Sequence, residues 1–320
     1  MEKVLIISDG KPGHVNQARA LCSIMGWECI EAVAEYRLKA FKAAGYLLDS
    51  VRLHSSLPFT LTFSSSGERA EAENMPAGIT RIAAVSSGAY YPAKVLANRL
   101  GVEVIALMLP RGIRKSDFSH IFCPSYDNPP RAENITPVPI TLCSRGESFY
   151  AQKAGEFTEK TGMKGPSASV IIGGENAYGR IEPEKIRGQL EKIFEKTPNL
   201  EHWLTTSRRT SRKVEKTAAS FPFDYKLIFS ESRYNPIPAF IGMSEYIFVT
   251  SDSSSMISEC VSTGSAKVEV LKNEPKRKSK FDRFLAELQA EGCVHIFDGT
   301  LGDADRKINL EEKIRSVLED

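Results

Sequence analysis

The chain has 320 residues, enough for two domains of ordinary size, and its 42% hydrophobic and 26% charged residues are the composition of a globular protein. A net charge of +2 sets up no global field for nucleic acid, so no nucleic-acid partner is expected. Six scattered cysteines without a CxxC pair argue against a structural zinc site. With the lack of a secretory signal they place the chain in the cytoplasm.

Residues 4–7 are a short β-branched apolar run, the pattern of a buried strand. Gly10, Pro12 and Gly13 break it, and Ala18, Leu21 and Met25 then recur on one face of a helix over 15–25. A strand, a glycine-bearing turn and a helix start make a ready anion or ligand site, and this loop also carries Asp9, Lys11 and His14. Further strands are expected at 82–85, 104–107, 121–122 and 136–139, and helices at 38–51, 92–100 and 150–161. Residues 37–53 join Leu38, Phe41, Leu48 and Val51 to Arg37, Lys39, Lys42 and Arg52. Such a basic amphipathic segment either packs into its own domain or lies peripherally on an anionic membrane. Residues 63–78 read as a polar surface loop. In "AVSSGAYYPAKV" a strand ends in Ser86, Ser87 and Gly88, which cap the next helix or face a ligand. His54, His120, His202 and His295 lack metal-ligand spacing, so no metal is expected.

The two glycines and the proline of residues 161–169 mark a linker between domains 1–163 and 164–320. A second series follows: strands at 169–172, 202–205, 226–229, 246–250, 267–271 and 294–297. Helices at 183–196, 212–220, 236–243, 254–263 and 280–291 alternate with them. Both halves therefore read as parallel α/β sheets, two Rossmann-type domains whose ligands bind beyond the strands' carboxyl ends. Three loops stand at those ends in the second half. Gly173 and Gly174 permit close approach of backbone to ligand, or only a tight turn. Ser207, Arg208 and Arg209 suit phosphate, or form a solvated basic loop. In "VTSDSSSMISE", Ser251, Asp252, Ser253, Ser254, Ser255 and Met256 open a helix whose N-terminus suits a diphosphate, with Glu259 one turn on and placed to accept from a ribose diol. The same residues also serve as an ordinary cap. "KNEPKRKSKFDRF" reads as a solvated loop before a helix.

"SDGKPGHVNQ", "GG", "TTSRRT", "VTSDSSSMISE" with "STG", and "KFDRF" with "GCVHIFDG" occur in that order over nearly the whole chain. Together they resemble the mitochondrial-fission ELM-type family, which includes many bacterial members assigned as glycosyltransferases. The resemblance implies a GT-B-like fold, two Rossmann-type domains facing across a cleft, with a nucleotide-sugar donor held mostly by the C-terminal one. It implies that Ser253, Ser254, Ser255, Arg208 and Arg209 meet the diphosphate and that Glu259 meets the ribose. No cofactor is implied, since the nucleotide sugar is a substrate. Metal-independent transfer to a glycan or lipid-linked acceptor needs a base, for which Asp9 or His14 stands ready, and a cation for the leaving group, Lys11 or the arginines. Asp9 alternatively fixes only its own loop. A nucleotide-sugar epimerase or hydrolase, and a non-catalytic adaptor, are the competing readings.

Overall fold

The computed structural model describes residues 2–53, 59–64, 67, 69–70, 75–143, 145–277 and 279–319. His54 and part of the expected 63–78 loop lie outside them. The chain divides into two compact units, residues 1–143 with 310–320, and residues 144–309.

The first unit is built on β1 (Lys3–Ser8), β2 (Glu28–Tyr36), β3 (Phe59–Phe63), β4 (Arg69–Ala70), β5 (Arg81–Val85), β6 (Glu103–Leu107), β7 (His120–Pro124) and β8 (Ile135–Val138), in the order β4-β3-β2-β1-β5-β6-β7-β8. All pairings are parallel except those of β3, which lies antiparallel to β2 and to β4. Val4, Leu5, Ile6 and Ile7 are fully buried, as an apolar run in a two-sided parallel sheet must be. Helices α1 (Pro12–Met25), α2 (Lys39–Ser50) and α3 (Tyr90–Leu100) connect these strands. The sequence reading lacks β2 and β3, although the alternation of Phe59, Leu61 and Phe63 with threonines fits a strand buried on one face. The acids Glu28, Glu31 and Glu35 dilute the apolar signal of β2, and Arg19 neutralises Glu31 across the helix–sheet layer at 2.5 and 2.8 Å.

The second unit holds β9 (Ser167–Ile172), β10 (Gly179–Arg180), β11 (Glu201–Thr206), β12 (Tyr225–Leu227), β13 (Ser244–Thr250), β14 (Lys267–Leu271), β15 (Glu274–Pro275) and β16 (His295–Ile296). Its main sheet is all parallel in the order β12-β11-β9-β13-β14-β16, with β10 and β15 as a separate antiparallel pair. Both units are thus Rossmann-type α/β layers, the second with α4 (Glu147–Thr161), α5 (Pro183–Lys196), α6 (Arg212–Ala219) and α7 (Ile237–Met243) among its helices.

Two boundaries differ from the sequence reading. Helix α4 (Glu147–Thr161) belongs to the second unit, so the division falls before it and not at 163/164. The reason is Phe157, fully buried and packed on Trp203, Tyr225 and Phe240 with ring centroids 4.8–5.9 Å apart. The sequence reading has the tail after about Asp298 packing back on the first domain; the segment that returns begins at Leu310, and its last helix, Glu311–Glu319, places Lys313 Nζ 2.7 Å from the carbonyl of Pro137. Residues before it stay with the second unit, where the Ile308 N–H donates to the carbonyl of Val261.

Candidate functional site

In the second unit the strand order reverses between β9 and β13, which are neighbours although three strands and three helices separate them in sequence. A ligand crevice is expected beyond the carboxyl ends at such a point. The loops found there are those after β9, β11 and β13. They are tied together by one carboxylate. Asp252 is buried, and its Oδ2 accepts from Arg209 Nη2 at 2.7 Å and from the Gly174 N–H at 3.0 Å. Its Oδ1 accepts from the Thr250 hydroxyl at 2.7 Å, which itself accepts from the Gly173 N–H at 2.7 Å. Asn176 Nδ2 donates to the Asp252 carbonyl at 2.9 Å. The Thr210 hydroxyl closes the knot by donating to the Gly173 and Ile172 carbonyls.

This geometry explains the two glycines. A Cβ on Gly173 would sit 2.2 Å from Asp252 Oδ1, and one on Gly174 would sit 2.1 Å from the Arg209 carbonyl oxygen. Both are required by close approach of protein to protein. The knot also separates the two arginines. Arg209 is engaged with Asp252, whereas Arg208 is exposed and has no ion-pair partner among the described residues. Ser207 is internal to its loop, its hydroxyl accepting from the Arg209 N–H, and Ser251 accepts from the Asn273 N–H at 3.0 Å.

Helix α8 (Ser254–Ser262) starts directly from this knot. Ser253 is its N-cap and accepts from the Met256 N–H at 3.4 Å, while Ser254 and Ser255 form the half-buried first turn. Glu259 stands one turn on. It keeps part of its surface open, yet burial raises its carboxyl to about 7, with the positive charge of Arg145 pulling the other way. Glu259 is not among the residues that line the cavity beside Asp252.

Beside Asp252 lies a cavity of about 150 Å³, lined among others by Ser251, Asn176, Tyr178, Lys272, Arg277 and Phe281. Arg277 lies over the Tyr178 ring at 4.7 Å, and Tyr178 meets Phe281 edge-on at 5.5 Å. The "KNEPKRKSKFDRF" loop is therefore a wall of this cavity and not merely solvated. Aromatics at Tyr178 and Phe281, one on each side of the basic run, were the available signal.

In the first unit the order reverses between β1 and β5. Gly10 takes φ +75 in the turn after β1, Lys11 is the N-cap, and Pro12 occupies the first position of α1, where its missing N–H costs nothing. The helix thus begins earlier than expected, and His14 sits in its first turn. Asp9 Oδ1 lies 2.7 Å from His14 Nδ1, and Oδ2 lies 2.7 Å from Lys11 Nζ. Burial pushes the Asp9 carboxyl up, but the hydrogen bonds from Lys11 and His14 outweigh it and hold it below the ordinary carboxylate range. An ionised Asp9 fixes the hydrogen on Nδ1 and leaves His14 Nε2 as the acceptor of protons. Asp9 is thereby held by both of its loop neighbours.

The loop after β5 is the neighbour of this one. Ser86 holds φ +96, an uncommon conformation for a residue with a side chain, and its buried hydroxyl has no partner among the described residues. Ser87 accepts from Lys42 Nζ through its hydroxyl and from the Tyr46 hydroxyl through its carbonyl, both at 2.8 Å. Among the described residues no group of three or more His, Cys, Asp or Glu is placed to hold a metal ion.

A family model described as mitochondrial fission ELM1 matches residues 12–316. No curated protein matches the chain. Among solved structures, UDP-GlcNAc 2-epimerase from Neisseria meningitidis bound to UDP-GlcNAc is 11% identical with a TM-score of 0.49, over 99% of this chain and 100% of that one. MnaA from S. aureus with UDP is 12% identical with a TM-score of 0.48, over 100% and 88%. MurG from Acinetobacter baumannii is 12% identical with a TM-score of 0.46, over 100% and 90%. Likenesses this distant carry no assignment for the present chain.

Proposed function

Since the chain belongs to the mitochondrial fission ELM1 family, we propose that it is a glycosyltransferase of GT-B type that takes a nucleoside-diphosphate sugar as donor and works without a metal. The observation that carries this reading is the crevice at the β9–β13 reversal. There one buried carboxylate, Asp252, ties together three loops, of which one carries the exposed Arg208 and another leads into the first turn of α8. A helix N-terminus supplies N–H groups and a partial positive charge for a diphosphate, and an exposed arginine supplies a bidentate partner. Glu259, further along α8, accepts from the ribose diol when ionised.

Transfer requires the acceptor hydroxyl to lose a proton as its oxygen attacks the sugar's anomeric carbon and the bond to the diphosphate breaks. His14 Nε2, oriented by Asp9, is the base in this reading, and the proton ends on the imidazole. The departing diphosphate keeps the bonding electrons, and its charge is met by Arg208 and the α8 N-terminus. Lys11 holds Asp9 and leaves leaving-group stabilisation to those groups.

The test is calorimetric titration of the intact protein with nucleoside diphosphates and their sugar conjugates. Arg208→Ala and Glu259→Ala should each lose about 1.5–3 kcal/mol of binding free energy, roughly 10- to 150-fold in affinity. Unchanged affinity in both variants removes the assignment. Tight binding without turnover against any glycan acceptor favours the adaptor reading.

A further inference from the structure

Five large hydrophobic residues are exposed among the described residues, and four of them fall within one short segment: Leu38, Leu47, Val51 and Leu53. Leu47 is 70% exposed and Leu38 60%. Scattered exposed hydrophobics are normal; a concentration of them is not. The segment is α2 with its two ends. On the outer side of that helix Ala40, Ala43 and Leu47 recur at helical spacing and are all exposed, so the stripe faces away from the unit's own core.

The charges on this segment are one-sided. Arg37, Lys39 and Arg52 are exposed. Its lone acid, Asp49, is turned inward and buried against Lys94 Nζ at 2.7 Å, with Asp49 Oδ2 taking the Arg114 N–H at 2.7 Å. The inner side of the helix is also pinned. A Cβ on Gly45 would sit 2.8 Å from the Tyr91 ring, and Lys42 and Tyr46 bond Ser87. The helix is therefore anchored on one side and presents on the other an apolar stripe bracketed by cations.

We propose that this outer face of α2 docks on an anionic lipid bilayer. A face that is both apolar and purely cationic fits a surface whose headgroups are negative and whose acyl boundary is apolar, and each basic side chain near such a surface adds about fivefold to the partition. The inner contacts of the same helix reach Ser87, in the loop beside Asp9 and His14 at the β1–β5 reversal. Docking thus leaves a single helix, α2, between the bilayer and the loop that holds Ser87. Where the transferase reading holds, the acceptor is then one anchored in that bilayer.

The experiment is flotation of the full chain, without nucleotide, on vesicles of phosphatidylcholine alone and on vesicles with about a third phosphatidylglycerol. Its outcome is separate from that of the nucleotide titration. The wild type should float with the anionic vesicles and stay in solution with the neutral ones, and molar salt should release most of it as the screening length falls to about 3 Å. Leu47→Glu with Val51→Glu, and separately Lys39→Glu with Arg52→Glu, should each lose at least about tenfold in binding, with an unchanged urea midpoint showing that the fold is intact. Variants that float like the wild type overturn the proposal, as does a wild type that ignores anionic vesicles. A wild type that stays in solution and sediments as a dimer broken by Leu47→Glu gives the face to a second copy instead.

Discussion

Replacing Asp252 by alanine tests whether one carboxylate organises the crevice of the second unit. The substitution orphans the Gly174 N–H, a buried donor whose unmet bond costs about 1–3 kcal/mol. It also breaks the contact to Arg209, whose side chain is 37% exposed, so solvent takes over much of that charge and the loss is about 1 kcal/mol. The Thr250 hydroxyl can turn elsewhere and adds little. The expected cost is about 3 kcal/mol, which for a unit of this size lowers its melting temperature by roughly 6–12 °C. Asp252→Asn should cost only about 1 kcal/mol, because its Oδ1 can face Arg209 and Gly174 while its amide donates to Thr250 Oγ1. The chain has two tryptophans, Trp27 in the first unit and the fully buried Trp203 on β11. In a Trp27→Phe background, urea unfolding followed by fluorescence reports on the second unit alone. An Asp252→Ala protein unfolding within about 0.5 kcal/mol of its parent, the range of an ordinary surface substitution, would refute the reasoning.

The two neighbouring arginines should behave oppositely: Arg208→Ala weakens nucleotide binding at unchanged stability, and Arg209→Ala lowers the urea midpoint of the second unit. With Glu259 at about 7, the folded carboxyl keeps its proton where the unfolded one has already lost it, so its ionisation costs stability that grows as pH rises from about 4.5 and is complete above about 7. Glu259→Gln should therefore stabilise the protein above neutrality and not below about pH 4. If the ionised form accepts from the ribose, nucleotide affinity should rise about tenfold between about pH 6 and about pH 8, and the glutamine variant should show a flat profile by calorimetry. Asp9→Asn and His14→Ala should bind nucleotide normally and lose about 100- to 10,000-fold in turnover. Parallel loss of affinity and turnover in both would place the loop in the donor site.

Much of the alternation of strands and helices is local information. Residues 4–7 and 104–107 are apolar runs that only a strand buried on both faces explains, and Gly26, Gly101 and Gly162 end α1, α3 and α4 in the left-handed conformation. The small-residue run from Ser251 likewise announced a helix start, because serine and aspartate favour caps wherever they occur. Strand β2 escaped because Glu28, Glu31 and Glu35 look polar until Arg19 is brought across to meet Glu31.

Sequence by itself determined the class of the sheets and the loops that end them, since burial of a strand and the start of a helix depend on neighbours a few residues away. Tertiary structure alone decided which polar groups in those loops are spent and which are free. Arg208 and Arg209 are indistinguishable as letters; Asp252, brought next to them by the pairing of β9 with β11 and β13, consumes one and leaves the other. Asp9 and His14 read as two separate candidates in the sequence, and a 2.7 Å contact joins them into one pair. Asp49 reads as an acid in the middle of a basic stretch, yet its burial against Lys94 leaves the outer face of α2 without a negative charge. A hydrogen bond between residues dozens of positions apart has no signature in composition or spacing, because its existence depends on the path of the chain between them.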